Sequence, residues 1–115
     1  MPADCIFCQI IAGNAPAQVF YRDETLIAIQ DTYPRAPVHI LIIPLEHIPS
    51  AREIGPQHSS LLSQMFAAAN RLALEQGISQ SGYRLLINTG PHAGQSVPHL
   101  HLHLIGGRHI PMRFD

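Results

Sequence analysis

Three histidines alternate with leucines near the end of the chain, in the run His-Leu-His-Leu-His at residues 99–103. Such alternation is typical of a β-strand, because successive side chains point to opposite faces. We therefore expect the three imidazoles on one face, and Leu100, Leu102 and Leu104 on the other, buried face. Neighbouring positions on one face of a strand lie about 6.5–7 Å apart. Two of these imidazoles could therefore act on one phosphate-sized group.

Three interpretations of this histidine run are open at this point. The imidazoles could form the solvated face of a strand, which is common for one histidine but unusual for three in register. They could bind metal, since two histidines two residues apart can share a zinc ion, although three on a straight strand do not easily converge. They could also act on a substrate, because neutral imidazole is a nucleophile near pH 7 and can form a phosphohistidine. The strict register favours this last interpretation.

Composition argues against several classes of protein. The chain has 115 residues, 46% of them apolar and only 13% charged, which indicates one globular domain. A net charge of −1 gives no basic footprint for a nucleic-acid polymer. The apolar runs are too short to span a bilayer, and the N-terminus lacks the pattern of a signal peptide. We therefore expect a cytoplasmic protein with no membrane segment.

The two cysteines, Cys5 and Cys8, are too close together for a disulfide framework. In a reducing compartment a Cys-x-x-Cys pair is half of a zinc site, a redox pair, or two reduced thiols in a core. The absence of a thioredoxin-like βαβ pattern around it argues against the redox interpretation. Residues 5–12 have apolar side chains at helical spacing, and Asp4 is the expected N-cap of this short helix.

The elements that must position these residues follow from the apolar patterns and the turn residues between them. One long helix is expected over residues 56–76, with Pro56 at its start and Gly77 after its end. Besides the histidine strand, strands are expected over residues 18–22, 25–31, 38–43 and 82–88. Mostly sequential hairpins with one helix on a face predict an α+β fold with a five-stranded antiparallel sheet. Residues 1–115 would form one domain, with a core over about 5–108 and a tail over 109–115.

Two details of these elements bear on the site. The long helix carries an apolar stripe that is expected to pack on the sheet, or in part to form a dimer seam: Leu61, Leu62, Met65, Phe66, Ala69 and Leu72. Folding the last hairpin about residue 93 brings Asn88 near His99, at the same end of the sheet as Gln95 and Ser96. We therefore place these loop residues in one site with the histidines.

The histidine run lies inside a longer motif, Gly94-Gln95-Ser96-Val97 followed by His-Leu-His-Leu-His-Leu-Ile-Gly-Gly-Arg108. This motif resembles the signature of the histidine triad (HIT) hydrolases and transferases, and its two ends resemble those of the Hint branch, the nucleoside phosphoramidases. The resemblance runs from Cys5 to Arg108. It implies a HIT-like fold and a homodimer whose sheet continues across the two-fold axis. It also implies hydrolysis of purine nucleoside 5′-phosphoramidates to AMP or GMP.

The resemblance assigns catalytic roles to residues of the motif. The family's nucleophile is the middle histidine of the triad, which corresponds to His101, and His103 would bind the phosphate and help to transfer protons. A lone histidine in an apolar strand, such as His39, is more often a satisfied core residue. Here it resembles the family's supporting histidine, which orients the triad through hydrogen bonds. Ser96 would hold phosphate oxygens and assist the leaving group.

The resemblance also implies a nucleotide pocket. Asp31, a turn former by its local sequence, resembles the family's carboxylate that accepts both ribose hydroxyls. Backbone amides around the loop glycine would join Ser96 on the phosphate, and an apolar wall would receive the base. The implied nucleotide-binding set is Phe7, Ile10, Ile29, Asp31, Thr32, Leu41, Asn88, Gly94, Gln95, Ser96, His101 and His103.

Cys5 and Cys8, with His47 and His99, have the composition of a structural zinc site. Several bacterial-type HIT proteins place zinc on such a set, including the first histidine of the triad, so the resemblance implies that His99 is a zinc ligand and not a phosphate contact. Four protein ligands leave no position for water, so zinc would pin the N-terminal helix and catalysis would require no cofactor.

Other functions are compatible with the same residues. A Fhit-like protein would cleave dinucleoside polyphosphates, although that branch has no serine matching Ser96. A metal-dependent hydrolase would lose activity on chelation, and a nucleotide-binding regulator would need only weak catalysis. Two features depart from animal Hint proteins: Pro98, which lacks an N–H before the first triad histidine, and the ending Met112-Arg-Phe-Asp115.

Overall fold

The structure is a computed structural model that describes residues 2–112. These residues form a five-stranded antiparallel sheet in the order β1-β2-β3-β5-β4. The strands are β1 (Val19–Arg22), β2 (Leu26–Gln30), β3 (Val38–Pro44), β4 (Tyr83–Leu86) and β5 (Leu102–Gly106). The helices are α1 (Ile6–Ile11) and α2 (Ser59–Glu75), and a 3₁₀ turn over Pro56–His58 leads into α2. The predicted α+β class and the antiparallel sheet are confirmed.

The sheet is covered on both faces, as the nearly continuous apolar run of β3 predicts. Side chains of β3 alternate between the two faces. Ile40 and Ile42 pack with Met65 and Leu72 of α2 in one core cluster. Leu41 and Ile43 point the other way and pack with α1 in a second cluster, whose other buried members are Cys5, Phe7, Cys8, Ile11, Ile27 and Ile29.

The stripe on α2 packs against the sheet along only part of its predicted width. Met65, Ala69 and Leu72 are buried, as expected. Phe66, by contrast, is 41% exposed and Leu74 is 68% exposed, so both lie on a flank of the helix away from the sheet. The expectation that Phe66 belongs to the core is therefore wrong for the single chain.

The predicted histidine strand begins later than its sequence pattern indicates. Only His103 lies within β5, while His99 and His101 precede it in irregular backbone. Pro98 has no N–H to donate to a neighbouring strand, and the Leu100 amide donates instead to the carbonyl of Ile48 at 2.7 Å. The alternation itself holds, because Leu100, Leu102 and Leu104 are all buried in the α2-facing cluster.

The other element boundaries differ from the predicted ones by a few residues, and the pairing of β4 with β5 differs from the predicted register by two residues. The N-cap of α1 is Cys5, whose thiol accepts from the Cys8 amide at 3.4 Å, and not Asp4. Leu86 pairs with His103, so the same register, if continued, places Asn88 opposite His101 and not His99. The first residues of the predicted tail are bound to the sheet, because Arg84 of β4 donates to the carbonyls of Ile110 and Pro111. Residues 113–115 lie outside the described part of the chain.

No helix within residues 2–112 is long and apolar enough to cross a membrane.

The two faces of β3 give a stability test. Ile42 is fully buried between α2 and the sheet, so Ile42→Ala should lower the free energy of unfolding by about 2–5 kcal/mol. The matched control is Val19→Ala, at a side chain that is 49% exposed, which should cost less than about 1 kcal/mol. Urea unfolding followed by circular dichroism measures both. Equal losses would contradict this assignment of the core.

Candidate functional site

The register of the central strands brings three polar side chains to one face. Ile29 pairs with Leu41, and Leu41 pairs with His103, so these positions share a face with the α1 cluster. The amide of Asp31 donates to the carbonyl of His39 at 3.0 Å, which extends this pairing by one step. Asp31, His39 and His103 therefore meet on the face opposite α2, although they are far apart in sequence.

His101 is held by a backbone carbonyl. Its Nδ1 lies 2.7 Å from the carbonyl oxygen of His99, and a carbonyl only accepts. The proton of neutral His101 is therefore on Nδ1, which leaves the lone pair of Nε2 free.

A second chain of contacts fixes the proton of His103. The Arg35 amide donates to Nδ1 of His39 at 3.0 Å, so the proton of neutral His39 is on Nε2. This Nε2 lies 2.9 Å from Nδ1 of His103 and donates to it. His103 therefore carries its own proton on Nε2, a buried atom with no hydrogen-bond partner within residues 2–112. His39 is thus hydrogen-bonded to His103, and His103 offers an unused donor.

Burial keeps both triad imidazoles neutral. It lowers the pKa of His101, an effect that the His99 carbonyl and Asp31 oppose. Burial, followed by the neighbouring His101 and His39, lowers the pKa of His103 to about 4. The two rings lie 5.0 Å apart between centroids. At neutral pH the site thus presents a lone pair on His101 beside an N–H of His103.

The two carboxylate oxygens of Asp31 have different partners. One carboxylate oxygen accepts from the Tyr33 amide at 2.8 Å, which makes it a turn former. The other lies 3.2 Å from Nε2 of His39, so the carboxylate also touches the histidine network. Thr32, the next residue of the implied nucleotide set, is exposed.

The four apolar residues of the implied base wall lie together. Phe7, Ile29 and Leu41 are buried in the α1 cluster, and Ile10 packs against it while remaining partly exposed. The Phe7 ring meets His101 edge-on, at 5.1 Å between centroids. The wall therefore adjoins His101, with Ile10 at its open side.

The loop before the triad is organised by the Gln95 side chain. Its carbonyl oxygen accepts from the Gly90 amide at 2.8 Å, and its amide donates to the carbonyls of Pro49 and Val97. Gly94 has a φ of +85°, which favours glycine because a Cβ is strained there.

The phosphate-binding part of that loop is less complete than expected. The backbone amides of Gly94 and Gln95 both donate to carbonyls of their own loop, at 3.1 Å each. The Ser96 side chain is exposed, and Asn88 is half-buried. Free donors for a phosphate therefore come from His103 and Ser96 in this arrangement, and the two loop amides would have to break internal bonds to take part.

The four implied metal ligands converge, as the sequence indicated. Sγ of Cys5 and of Cys8 lie 3.4 and 3.6 Å from Nδ1 of His99. Nδ1 of His47 lies 3.1 Å from the same nitrogen and 3.3 Å from Sγ of Cys8. All four ligand atoms lie within 4.8 Å of one another. Two sulfurs and two nitrogens are the donor set of a structural zinc site.

The protonation of His99 fits a metal ligand. Its Nε2 lies 2.8 Å from the carbonyl of Pro44 and must donate to it, so Nδ1 carries the lone pair that faces the cluster. Such a hydrogen bond from the outer nitrogen is typical of metal-binding histidines. Burial, reinforced by Cys5, raises the pKa of the Cys8 thiol to about 11, so a cation would be needed to hold it as a thiolate. Zinc is a fitting occupant of this cluster.

Sequence reasoning missed the backbone groups that fix these protons. The carbonyl of Pro44, the carbonyl of His99 and the amide of Arg35 decide which nitrogen of each histidine is free. Every residue has such groups, so residue types carry no signal for them.

Comparisons with known proteins identify the class. Residues 4–113 match the family described as "Scavenger mRNA decapping enzyme C-term binding", and several relatives carry histidine triad (HIT) names, among them a HIT-like protein of Synechococcus elongatus. The chain belongs to the histidine triad family, and it resembles the Hint-like branch. One relative is the purine nucleoside phosphoramidase of Escherichia coli K12, which is 42% identical over 108 residues, 94% of this chain and 91% of the relative.

Two solved structures are informative. The HIT family hydrolase of Clostridium thermocellum superposes with a TM-score of 0.95 at 44% identity, over 100% of both chains. A zinc-bound histidine triad family protein from Mycobacterium smegmatis superposes with a TM-score of 0.79 at 34% identity, covering 91% of this chain and 76% of that one. The second shows that a relative of this fold binds zinc.

The cysteine cluster predicts a measurable metal content. We expect one zinc ion per chain by mass spectrometry of the purified protein, and its removal by a chelator should lower the melting temperature by about 10 °C or more. Cys8→Ser should lose the metal and should show a similarly lowered melting temperature without any chelator. The matched control is His92→Ala, an exposed histidine outside the cluster, which should keep both. A metal-free protein that zinc does not stabilise would indicate two reduced, buried thiols instead.

Proposed function

We propose that this protein hydrolyses purine nucleoside 5′-phosphoramidates through a covalent nucleotide on His101, releasing AMP or GMP and an amine. The observation that carries the proposal is the hydrogen bond from Nδ1 of His101 to the His99 carbonyl. Because the proton is on Nδ1, the lone pair of Nε2 is free and points away from the His99 carbonyl. The 42% identity to a purine nucleoside phosphoramidase supports the choice of substrate.

In the first step, Nε2 of His101 attacks the phosphorus and the P–N bond of the substrate breaks. The ring then bears both the nucleotide on Nε2 and the proton on Nδ1, so it is positively charged, and the His99 carbonyl stabilises that charge. The departing amine takes one proton, which the exposed Ser96 hydroxyl can relay from solvent. Charge that develops on the phosphate oxygens meets the N–H of His103.

In the second step, water attacks the phosphorus from the side that the amine has left. The bond from His101 to phosphorus breaks, its electron pair returns to Nε2, and a proton is released to solvent. The products are the nucleoside monophosphate and the original site. One proton is taken up in the first step and one is released in the second, so the enzyme is unchanged.

The remaining residues would bind the nucleoside. We place the base against the wall of Phe7, Ile29 and Leu41, next to the partly exposed Ile10. The ribose hydroxyls would donate to the carboxylate of Asp31, beside Thr32, and Asn88 would complete the phosphate side. Zinc on the cysteine cluster would hold α1 against the triad segment and would supply no open coordination position to the reaction.

Removal of the nucleophile gives the direct test. His101→Ala should lower the release of AMP from adenosine 5′-phosphoramidate by at least about 1,000-fold, measured by chromatography of the products. The matched control His58→Ala removes a histidine at the start of α2, far in sequence from the triad, and should keep the activity. Quenched wild-type reactions should contain a protein adduct of the mass of one AMP.

Three outcomes would change the proposal. Faster cleavage of a dinucleoside polyphosphate would favour a Fhit-like activity, and loss of activity on chelation with the fold retained would favour metal-dependent hydrolysis. Binding without turnover would favour a regulator.

The rate of phosphoramidate hydrolysis should stay constant as the pH falls through 6.5, the ordinary pKa of histidine. Burial lowers the pKa of both His101 and His103, so both rings remain neutral at that pH.

We also propose that two copies pair through β4. This strand is an edge of the sheet, since it pairs with β5 on one side only. The hydroxyl of Tyr83 in β4 donates at 2.7 Å to Asn70, which lies on α2 between the exposed Phe66 and Leu74. An open strand edge and an exposed apolar flank therefore adjoin, and a second copy would cover both.

Sedimentation of two charge variants tests this pairing. Leu74→Asp places a charge on the exposed flank and should shift the protein from dimer to monomer at micromolar concentration. Val19→Asp introduces the same change on the opposite edge strand, where the side chain is 49% exposed, and should leave the dimer intact. If the wild type sediments as a monomer, or if both variants behave alike, the β4 interface is ruled out.

A further inference from the structure

The contact between Asp31 and His39 has no role in the scheme above. Nε2 of His39 carries a single proton and faces two acceptors, Nδ1 of His103 at 2.9 Å and a carboxylate oxygen of Asp31 at 3.2 Å. A charged acceptor makes the stronger hydrogen bond at comparable distance. The proton of His39 is therefore shared, and the share that reaches His103 depends on what else the Asp31 carboxylate binds.

The alternatives for this proton are limited by the loop. The amide of Arg35 occupies Nδ1 of His39 at 3.0 Å, so the proton cannot move to that nitrogen. The other carboxylate oxygen of Asp31 accepts from the Tyr33 amide at 2.8 Å, so the carboxylate is already shared between its own turn and His39. A carboxylate oxygen can accept more than one hydrogen bond, and each further donor weakens the carboxylate as an acceptor for the others. A ligand that donates to Asp31 therefore weakens the hold of the carboxylate on the His39 proton.

We propose that Asp31 is a positioning residue as well as the ribose acceptor: ribose hydroxyls on Asp31 release the His39 proton to His103 and so align the donor that meets the phosphate. The inference rests on the proposed function, because it takes a nucleoside 5′-phosphoramidate as the substrate. It assigns to the sugar a part in the chemical step, beyond binding.

The physical reason is the arrangement of the hydrogen bonds. While the carboxylate is bare, it draws the N–H of His39 away from the line to His103, and the His103 ring is held less firmly. When hydroxyls satisfy the carboxylate, His39 donates wholly to Nδ1 of His103. The N–H on Nε2 of His103, which has no partner within the described residues, then points steadily at the phosphate oxygens. Occupancy of the sugar site would thus determine how well the N–H of His103 is aligned with the phosphate oxygens.

The kinetic test compares adenosine 5′-phosphoramidate with its 2′,3′-dideoxy form. In the wild type, loss of the hydroxyls should raise KM and also lower kcat about tenfold, the equivalent of one net hydrogen bond. In His39→Leu, which removes the link but keeps a side chain of similar volume, kcat should be low and equal for the two substrates. The rise in KM should persist, since Asp31 still binds the sugar.

Two kinetic results would overturn the inference. Equal kcat for both substrates in the wild type would show that the sugar acts on binding alone. A kcat difference that survives in His39→Leu would show that any effect of the hydroxyls bypasses His39. The comparison with His39→Leu guards against a change of sugar pucker, which would act equally with and without the histidine.

A measurement that requires no turnover covers the case in which His39→Leu does not fold. Nitrogen-15 NMR of histidine-labelled wild type reports which ring nitrogens are protonated and how strongly each accepts. His103 should be protonated on Nε2, and AMP should shift its Nδ1 signal towards a stronger hydrogen bond, while 2′,3′-dideoxy-AMP should not. Identical shifts with both nucleotides would overturn the inference.

The combined results separate this inference from the proposed function. Turnover of the phosphoramidate without a hydroxyl-dependent shift would leave the function standing and remove the link. A hydroxyl-dependent shift without turnover would keep the link in a nucleotide-binding protein that is not a phosphoramidase. A protein that neither binds AMP nor turns over the phosphoramidate would contradict both.

Discussion

The site depends on one constraint: each buried histidine is neutral and has one proton, and a backbone group decides which nitrogen carries it. The His99 carbonyl takes the Nδ1 proton of His101, and the Arg35 amide forces the proton of His39 onto Nε2. A misplaced proton would leave a donor facing a donor at His39, or an acceptor facing an acceptor at His101, at a cost of about 1–3 kcal/mol. Folding of the backbone therefore determines that His101 offers a lone pair and His103 an N–H.

The sheet explains why these protons can be fixed so firmly. β3 lies between β2 and β5, and its buried apolar residues pack on both faces. His39 is the one polar side chain of that strand, and it is 2% exposed. A one-residue shift of register would turn every side chain of β3 to the opposite face, so His39 would leave the other histidines and enter the α2-facing core. The distance from His39 to His103 is thus held by the same packing that stabilises the fold.

Sequence patterns predicted the elements wherever local periodicity and packing agree. The strand β3 and the helix α2 were found within three residues of their ends, because apolar repeats directly reflect burial. The histidine segment was misjudged because Pro98 cannot donate and the Leu100 amide bonds to Ile48, a partner 52 positions away. The functional side chains could be named from their chemistry and from the family motif. Their protonation could not, since it depends on backbone groups that only the folded chain brings near.

His99 connects the cysteine cluster to the nucleophile. Its Nδ1 faces the two sulfurs and His47, its Nε2 donates to Pro44, and its own carbonyl accepts from His101. Both ring nitrogens and the backbone oxygen are thus engaged, so the residue has little freedom to move. Phe7, which lies between the two cysteines in sequence, also meets the rings of His99 and His101 edge-on. Whatever holds the N-terminal helix against His99 therefore also holds the carbonyl that orients His101, so the cysteine cluster bears on the geometry of His101.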